Sequence, residues 1–155
     1  MKRAAVLGRF DHINIVVADL KAAKEFFLQL GFEQGDASEL KGEWISSIVG
    51  LPDVWAFYQS MRLPGSSVSV ELIQYHNPLS GGNPNVNKAN QLGYRHIAFA
   101  VEDIEQTVTQ LRQKGIQFVS DIQVYEKRGK KLVYFYGPEG ILLELAEYPK
   151  LEELT

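Results

Sequence analysis

The chain has 155 residues, 45% of them hydrophobic and 23% charged, with a formal net charge of −3; this is a globular composition, sized for one domain or two packed half-domains. No dense basic run offers a footprint for nucleic acid, and the cluster Lys127-Arg128-Gly129-Lys130-Lys131 reads as hairpin decoration or as an anchor for an anion. The absence of cysteine excludes disulfides, thiolate metal sites and cysteine nucleophiles, and no segment approaches a membrane-spanning length, so a cytoplasmic protein is expected.

In chain order, residues 1–9 read as an N-terminal arm in which Arg9 cuts short the apolar run. Residues 10–17 alternate on a strand period, with Ile13, Ile15 and Val17 on one face and His12, Asn14 and Val16 on the other. Asp19 sits as an N-cap before a helix through Leu30, which Gly31 stops; Leu20, Ala23, Phe27 and Leu30 form its apolar face. Strands are predicted over 54–61 and 67–75, around a Pro64-Gly65 turn. Residues 77–92, rich in Asn, Gly, Pro and Ser, read as a linker.

The pattern then restarts. A strand over 94–101 carries His96, Asp103 caps a helix through Lys114, and Gly115 ends it. Strands over 131–136 and 141–148 form a hairpin around Gly137-Pro138-Glu139-Gly140. The histidines (12 and 96), the capping aspartates (19 and 103) and the stop glycines (31 and 115) all repeat at an offset of 84. The last strands repeat too, but Glu71 and Glu144 are offset by 73, so the first half holds 11 extra residues (84 − 73). Residues 38–53 are the candidate insertion, a short amphipathic helix that either plugs the core edge or closes over a site. The predicted fold class is α+β, with two tandem βαβββ modules over 10–76 and 93–150, each with a weakly defined second strand, and a tail over 151–155.

Strand parity decides which residues can converge. His12 and His96 oppose the aliphatic rows of their strands, and Glu71 and Glu144 likewise oppose Val70/Leu72 and Leu143/Leu145. If helices cover the aliphatic rows, both histidines and both glutamates point to the other, concave face. A mid-strand carboxylate among apolar neighbours needs a partner, and a divalent metal would satisfy two imidazoles and two carboxylates together. Any one of the four alone is more simply an ordinary strand residue; the repeat of all four favours the metal. His76 has no repeat partner and reads as surface.

With these residues in place, the chain resembles the vicinal oxygen chelate superfamily, which includes glyoxalase I, methylmalonyl-CoA epimerase, fosfomycin-resistance enzymes, bleomycin-binding proteins and extradiol dioxygenases. The landmarks are Asp11-His12-Ile13, Gly93-Tyr94-Arg95-His96-Ile97 and Gly137-Pro138-Glu139-Gly140 through Glu144-Leu145. The resemblance implies a half-open mixed β-barrel around one metal site, with helices outside and His12, Glu71, His96 and Glu144 as ligands. It implies one divalent ion (Ni, Zn, Co, Mn or Fe) and a homodimer acting on a small oxygen-rich molecule.

Four filled ligand positions lean toward the glyoxalase-like and epimerase-like branch. Its chemistry is lyase or isomerase proton transfer next to a carbonyl, through an enediolate that a bound metal stabilises. Glu144 or Glu71 is the expected base. Glutathione-using relatives carry an arginine where this chain has Val16 and an asparagine where it has Tyr75, so a glutathione adduct is not the expected substrate. Epimerase relatives usually carry Gln at the position of Glu71. Asn14 and Tyr75 by parity, Trp44 and Trp55 as aromatic walls, and Lys131 as an anion contact are the expected substrate-binding residues. The alternatives are an Fe(II)-dependent ring-cleaving dioxygenase and an antibiotic-type binding protein.

Overall fold

The computed structural model describes residue 1 and residues 6–150; residues 2–5 of the expected arm and the whole expected tail, 151–155, lie outside the described residues. The chain divides into two compact units, Met1–Gly81 and Gly82–Thr155. The first contains β1 (His12–Val16), α1 (Leu20–Gln29), β2 (Glu33–Lys41), α2 (Glu43–Val49), β3 (Trp55–Arg62) and β4 (Ser69–Asn77). The second contains β5 (His96–Ala100), α3 (Ile104–Gln113), β6 (Gln123–Tyr125), β7 (Lys130–Tyr136), a 3₁₀ turn (Pro138–Gly140) and β8 (Leu142–Glu147). Each unit has one four-stranded mixed sheet, in the orders β1-β4-β3-β2 and β5-β8-β7-β6, so the fold is α+β. No helix among the described residues is long and apolar enough to cross a membrane.

The duplication is visible bond by bond. The Asp19 and Asp103 carboxylates accept from the amides of Ala22 (3.0 Å) and Gln106 (2.9 Å), capping α1 and α3. A second pair, Gln74 Oε1 and Glu147 Oε1, accepts from the amides of Leu20 (2.9 Å) and Ile104 (3.0 Å) and ties each helix start to the last strand of its module. Both helices end at a glycine with positive φ, Gly31 at 97° and Gly115 at 83°, a conformation that would strain a side chain. The next amide then reaches back one turn, from Phe32 to Phe27 O and from Ile116 to Leu111 O, 3.1 Å in each case.

Helix and strand periods agree on where the core lies. Ala23 and Phe27 of α1 are buried, as are Ile104, Val108 and Leu111 of α3. They meet the sheet faces that carry Met61, Val70 and Leu72 in the first unit and Val133, Phe135, Leu143 and Leu145 in the second, all buried. Leu20 and Leu30 are only half-buried.

The second strand differs most between the modules. β2 runs for nine residues, almost all exposed, and so lacks the alternation that marks a strand in sequence. Its pairing with β3 slips between Gln34 and Ala37; the buried Gln59 amide donates to the freed carbonyls of Gly35 (3.0 Å) and Asp36 (3.4 Å). In place of a single insertion over 38–53, residues 38–41 finish β2 and the helix is confined to Glu43–Val49. That helix buries Ile45 against Val54, Ala56 and Ile73, with Leu40, Tyr58 and Tyr75 around them. Register puts Ala56, Tyr58 and Ile73 on the same face as Glu71, so α2 plugs one end of that face.

Candidate metal centre

In each unit a histidine at the start of the edge strand meets a glutamate in the middle of its parallel neighbour. His12 pairs in register with Ser69, and Glu71 lies two residues further along β4 on the same face. His96 pairs with Leu142, and Glu144 lies two residues further along β8. The diagonal brings His12 Nε2 to 3.4 Å from Glu71 Oε2 and His96 Nε2 to 3.6 Å from Glu144 Oε2. Imidazole and carboxylate are each donors suited to a borderline divalent cation, and Nε2 is in both units the nitrogen turned toward the carboxylate.

The surroundings of the pairs differ. His12 Nδ1 lies 2.7 Å from Asp11 Oδ2, and Asp11 Oδ1 lies 2.6 Å from an Arg9 guanidinium nitrogen. The hydrogen bond from His12, and then the Arg9 charge, hold the Asp11 carboxyl below its ordinary range. An ionised Asp11 fixes the proton on Nδ1 and leaves the Nε2 lone pair facing Glu71, the arrangement found behind metal-bound imidazoles. In sequence, Asp11 stands out only as part of the Asp11-His12-Ile13 landmark and carries no assigned role; an acidic residue directly before a ligand histidine is the visible signal.

His96 is preceded instead by Arg95, which donates to Lys88 O at 2.9 Å. Its ring packs on Tyr134 at 4.8 Å between centroids. Glu144 is the one buried carboxylate among the described residues, 5% exposed. Lys130 Nζ lies 3.8 Å from its Oε1. Glu71, with its side chain 32% exposed, is more open.

The expected substrate contacts divide by face. Asn14 pairs in register with Glu71, and its amide donates to Glu71 O at 3.3 Å. Tyr75 shares that face but packs into the α2 plug, and Trp44 projects from α2 largely into solvent. Trp55 is not brought to the site: one residue out of phase with Ala56, it stands on the opposite face, where it stacks with His76 at 5.0 Å under the Lys41 ammonium. Lys131 is likewise on the helix side, with Nζ 3.1 Å from Glu105 Oε1 and 3.6 Å from Glu147 Oε2. Its neighbour Lys130 has the inward parity that the sequence reading assigned to neither.

A second acidic group, Asp103, Glu105 and Glu147, draws its carboxylates within 4.8 Å of one another. Each is already engaged, two as caps of α3 and Glu105 with Lys131, so a lysine stands where a cation would sit.

Comparison with known proteins identifies the family. A sequence model of the Glyoxalase/Bleomycin resistance protein/Dioxygenase superfamily matches residues 9–145. The crystal structure of a glyoxalase family protein from Bacillus cereus superposes with a TM-score of 0.85 at 31% identity, covering 97% of this chain and 100% of that one. The uncharacterized protein YaeR of Escherichia coli is 30% identical over 142 residues, 91% of this chain and 97% of YaeR. Mouse mitochondrial methylmalonyl-CoA epimerase is 26% identical over 148 residues, 91% of this chain and 74% of the epimerase. The chain belongs to the glyoxalase/bleomycin resistance/dioxygenase superfamily, the vicinal oxygen chelate group.

Proposed function

We propose that His12, Glu71, His96 and Glu144 bind one divalent metal, and that the protein moves a proton next to a carbonyl of a small oxygen-rich substrate, as a lyase or isomerase. The observation that carries this reading is the repeated diagonal His–Glu pair, kept in both modules with Nε2 toward the carboxylate. The likeness to an epimerase, an enzyme whose reaction inverts a carbon centre, supports the class. Val16 and Tyr75, where glutathione-using relatives have polar anchors, speak against a glutathione adduct.

When bound, the metal supplies Lewis-acid stabilisation of the negative charge that grows on the substrate oxygen. The remaining work falls to the chain. Asp11 holds His12 in one tautomer, and Tyr134 flanks the His96 ring. Glu144, buried beside Lys130, stays in place as a ligand. Glu71 is the freer carboxylate, with its Oε2 3.4 Å from His12 Nε2. Its oxygen takes the proton from the carbon beside the carbonyl and returns it to the neighbouring carbon or to the other face.

The test is elemental analysis of protein purified without chelator or affinity metal, beside His96→Ala, followed by deuterium exchange into candidate hydroxy and keto acids. About one divalent ion per chain, lost in the variant, with exchange at the carbon beside the carbonyl, is the expected result. Oxygen uptake with a catechol under Fe(II), without exchange, would replace this reading with ring cleavage. Ligand binding that survives removal of metal would replace it with a binding protein.

A further inference from the structure

We infer that Lys130 binds an anionic group of the substrate, so that the molecule turned over is an acid carrying a carboxylate within a carbon or two of the oxygens that reach the metal. This rests on the metal reading above and narrows its substrate class.

Register places Lys130 on the ligand-bearing face of β7: Lys131 pairs with Glu147 and Tyr134 with Glu144, so Lys130 shares the parity of Tyr134. Apart from His96, Lys130 and Glu144 are the only Lys, Arg, Asp or Glu on that face among the described strand residues of the second unit; its other residues are alanine, leucine, tyrosine and glutamine. The ammonium is 3.8 Å from Glu144 Oε1, within ion-pair reach but beyond a hydrogen bond, so its donors are not consumed there. It lies 5.3 Å from the Tyr148 ring centre, and the side chain keeps 23% of its surface exposed.

The corresponding position of the first module explains why this charge stands alone. Lys130 lies one residue before the partner of Glu147 in β7, opposite Tyr148; the same step in β3 is Ala56, opposite Tyr75, buried completely under Ile45 of α2. One module closes that place with a methyl group under a plug, and the other keeps an open cation. Lys130 and Glu144 balance each other in charge. A divalent ion on Glu144 would add two positive charges beside the ammonium, and a substrate carboxylate would restore the balance and accept a charge-assisted hydrogen bond from Nζ.

The experiment compares metal-loaded wild type, Lys130→Met and Lys130→Arg. Metal content is measured on each, and malate and lactate are titrated by calorimetry. Both probes present an α-hydroxy carboxylate, and only malate carries the further carboxylate. Wild type should prefer malate by about tenfold or more, Lys130→Arg should keep most of that preference, and Lys130→Met should lose it while still holding metal. A preference that persists in Lys130→Met, or is missing from metal-loaded wild type, overturns the assignment and leaves the metal reading standing. Wild type that takes up no metal overturns both. If Lys130→Met fails to fold, the same readings on Lys130→Gln decide.

Discussion

The two modules share their backbone and differ in what lies on their ligand-bearing faces. Caps, helix stops and the diagonal from histidine to glutamate recur at offsets of 84 and 73 residues. Yet the first module plugs its face with α2 and leaves Glu71 partly open, whereas the second has no such helix among its described residues, sinks Glu144 and sets Lys130 beside it. Duplication thus preserves what the strands and helix ends need, because each cap or register bond serves its own module. Side chains on the open face serve none of those bonds and are free to diverge. Asymmetry on that face is therefore where substrate specificity is to be sought.

The strongest way to break the comparison is to remove one ligand from each half. His12→Ala and His96→Ala should each abolish stoichiometric metal binding, read by elemental analysis, if both pairs serve one ion. If one variant keeps its metal, the two pairs are not equivalent and the reading of a shared donor set fails. The plug comes next. Ile45→Ala removes the one buried side chain of α2 and should destabilise the protein by about 2–5 kcal/mol in urea unfolding. No change would mean that α2 is not seated as a plug. The orienting carboxylate gives a smaller effect. Asp11→Asn should weaken metal affinity by about 10–100-fold, while Arg95→Gln, at the matching place before His96, should leave it unchanged. Equal effects would show that the carboxylate behind His12 carries no special role.

Much of this was legible in the sequence because two periods coincide. An offset of 84 exposes the repeat, and strand alternation then assigns His12, Glu71, His96 and Glu144 to one face of each sheet without any coordinates. The failures have local causes. β2 is nearly all exposed, so no alternation marks it, and its last residues were absorbed into the expected insertion. Trp55 suits a pocket wall by size, but its parity opposes that: it lies an odd number of residues from Tyr58, which shares the face of Glu71. The basic run 127–131 looked uniform, but pairing splits it: Lys131 turns to Glu105 and Glu147 and Lys130 to Glu144. Sequence alone does not say which of two adjacent lysines starts the inward row.

The smallest expected effect concerns that split and its pH dependence. Glu105 is held below its ordinary 4.5 chiefly by the hydrogen bond from Lys131, and Lys131 is raised above 10.5 chiefly by the same bond. A carboxyl lowered by folding stabilises the protein above its unfolded value, and that contribution is lost as acid titrates it below 4.5. The raised lysine acts in the opposite sense, with its contribution complete below 10.5 and lost as alkali carries the pH above that value. Both side chains are partly exposed, Lys131 by 37% and Glu105 by 59%, so screening keeps the effect small and salt-sensitive. Glu105→Gln should therefore lower Tm slightly near neutral pH, with the difference from wild type vanishing well below 4.5 and in high salt. The same substitution should leave metal content and any malate preference untouched, because Lys131 lies on the helix side of the sheet. A shift in either would mean that the two faces of β7 are coupled and that Lys131 reaches the site through its neighbour.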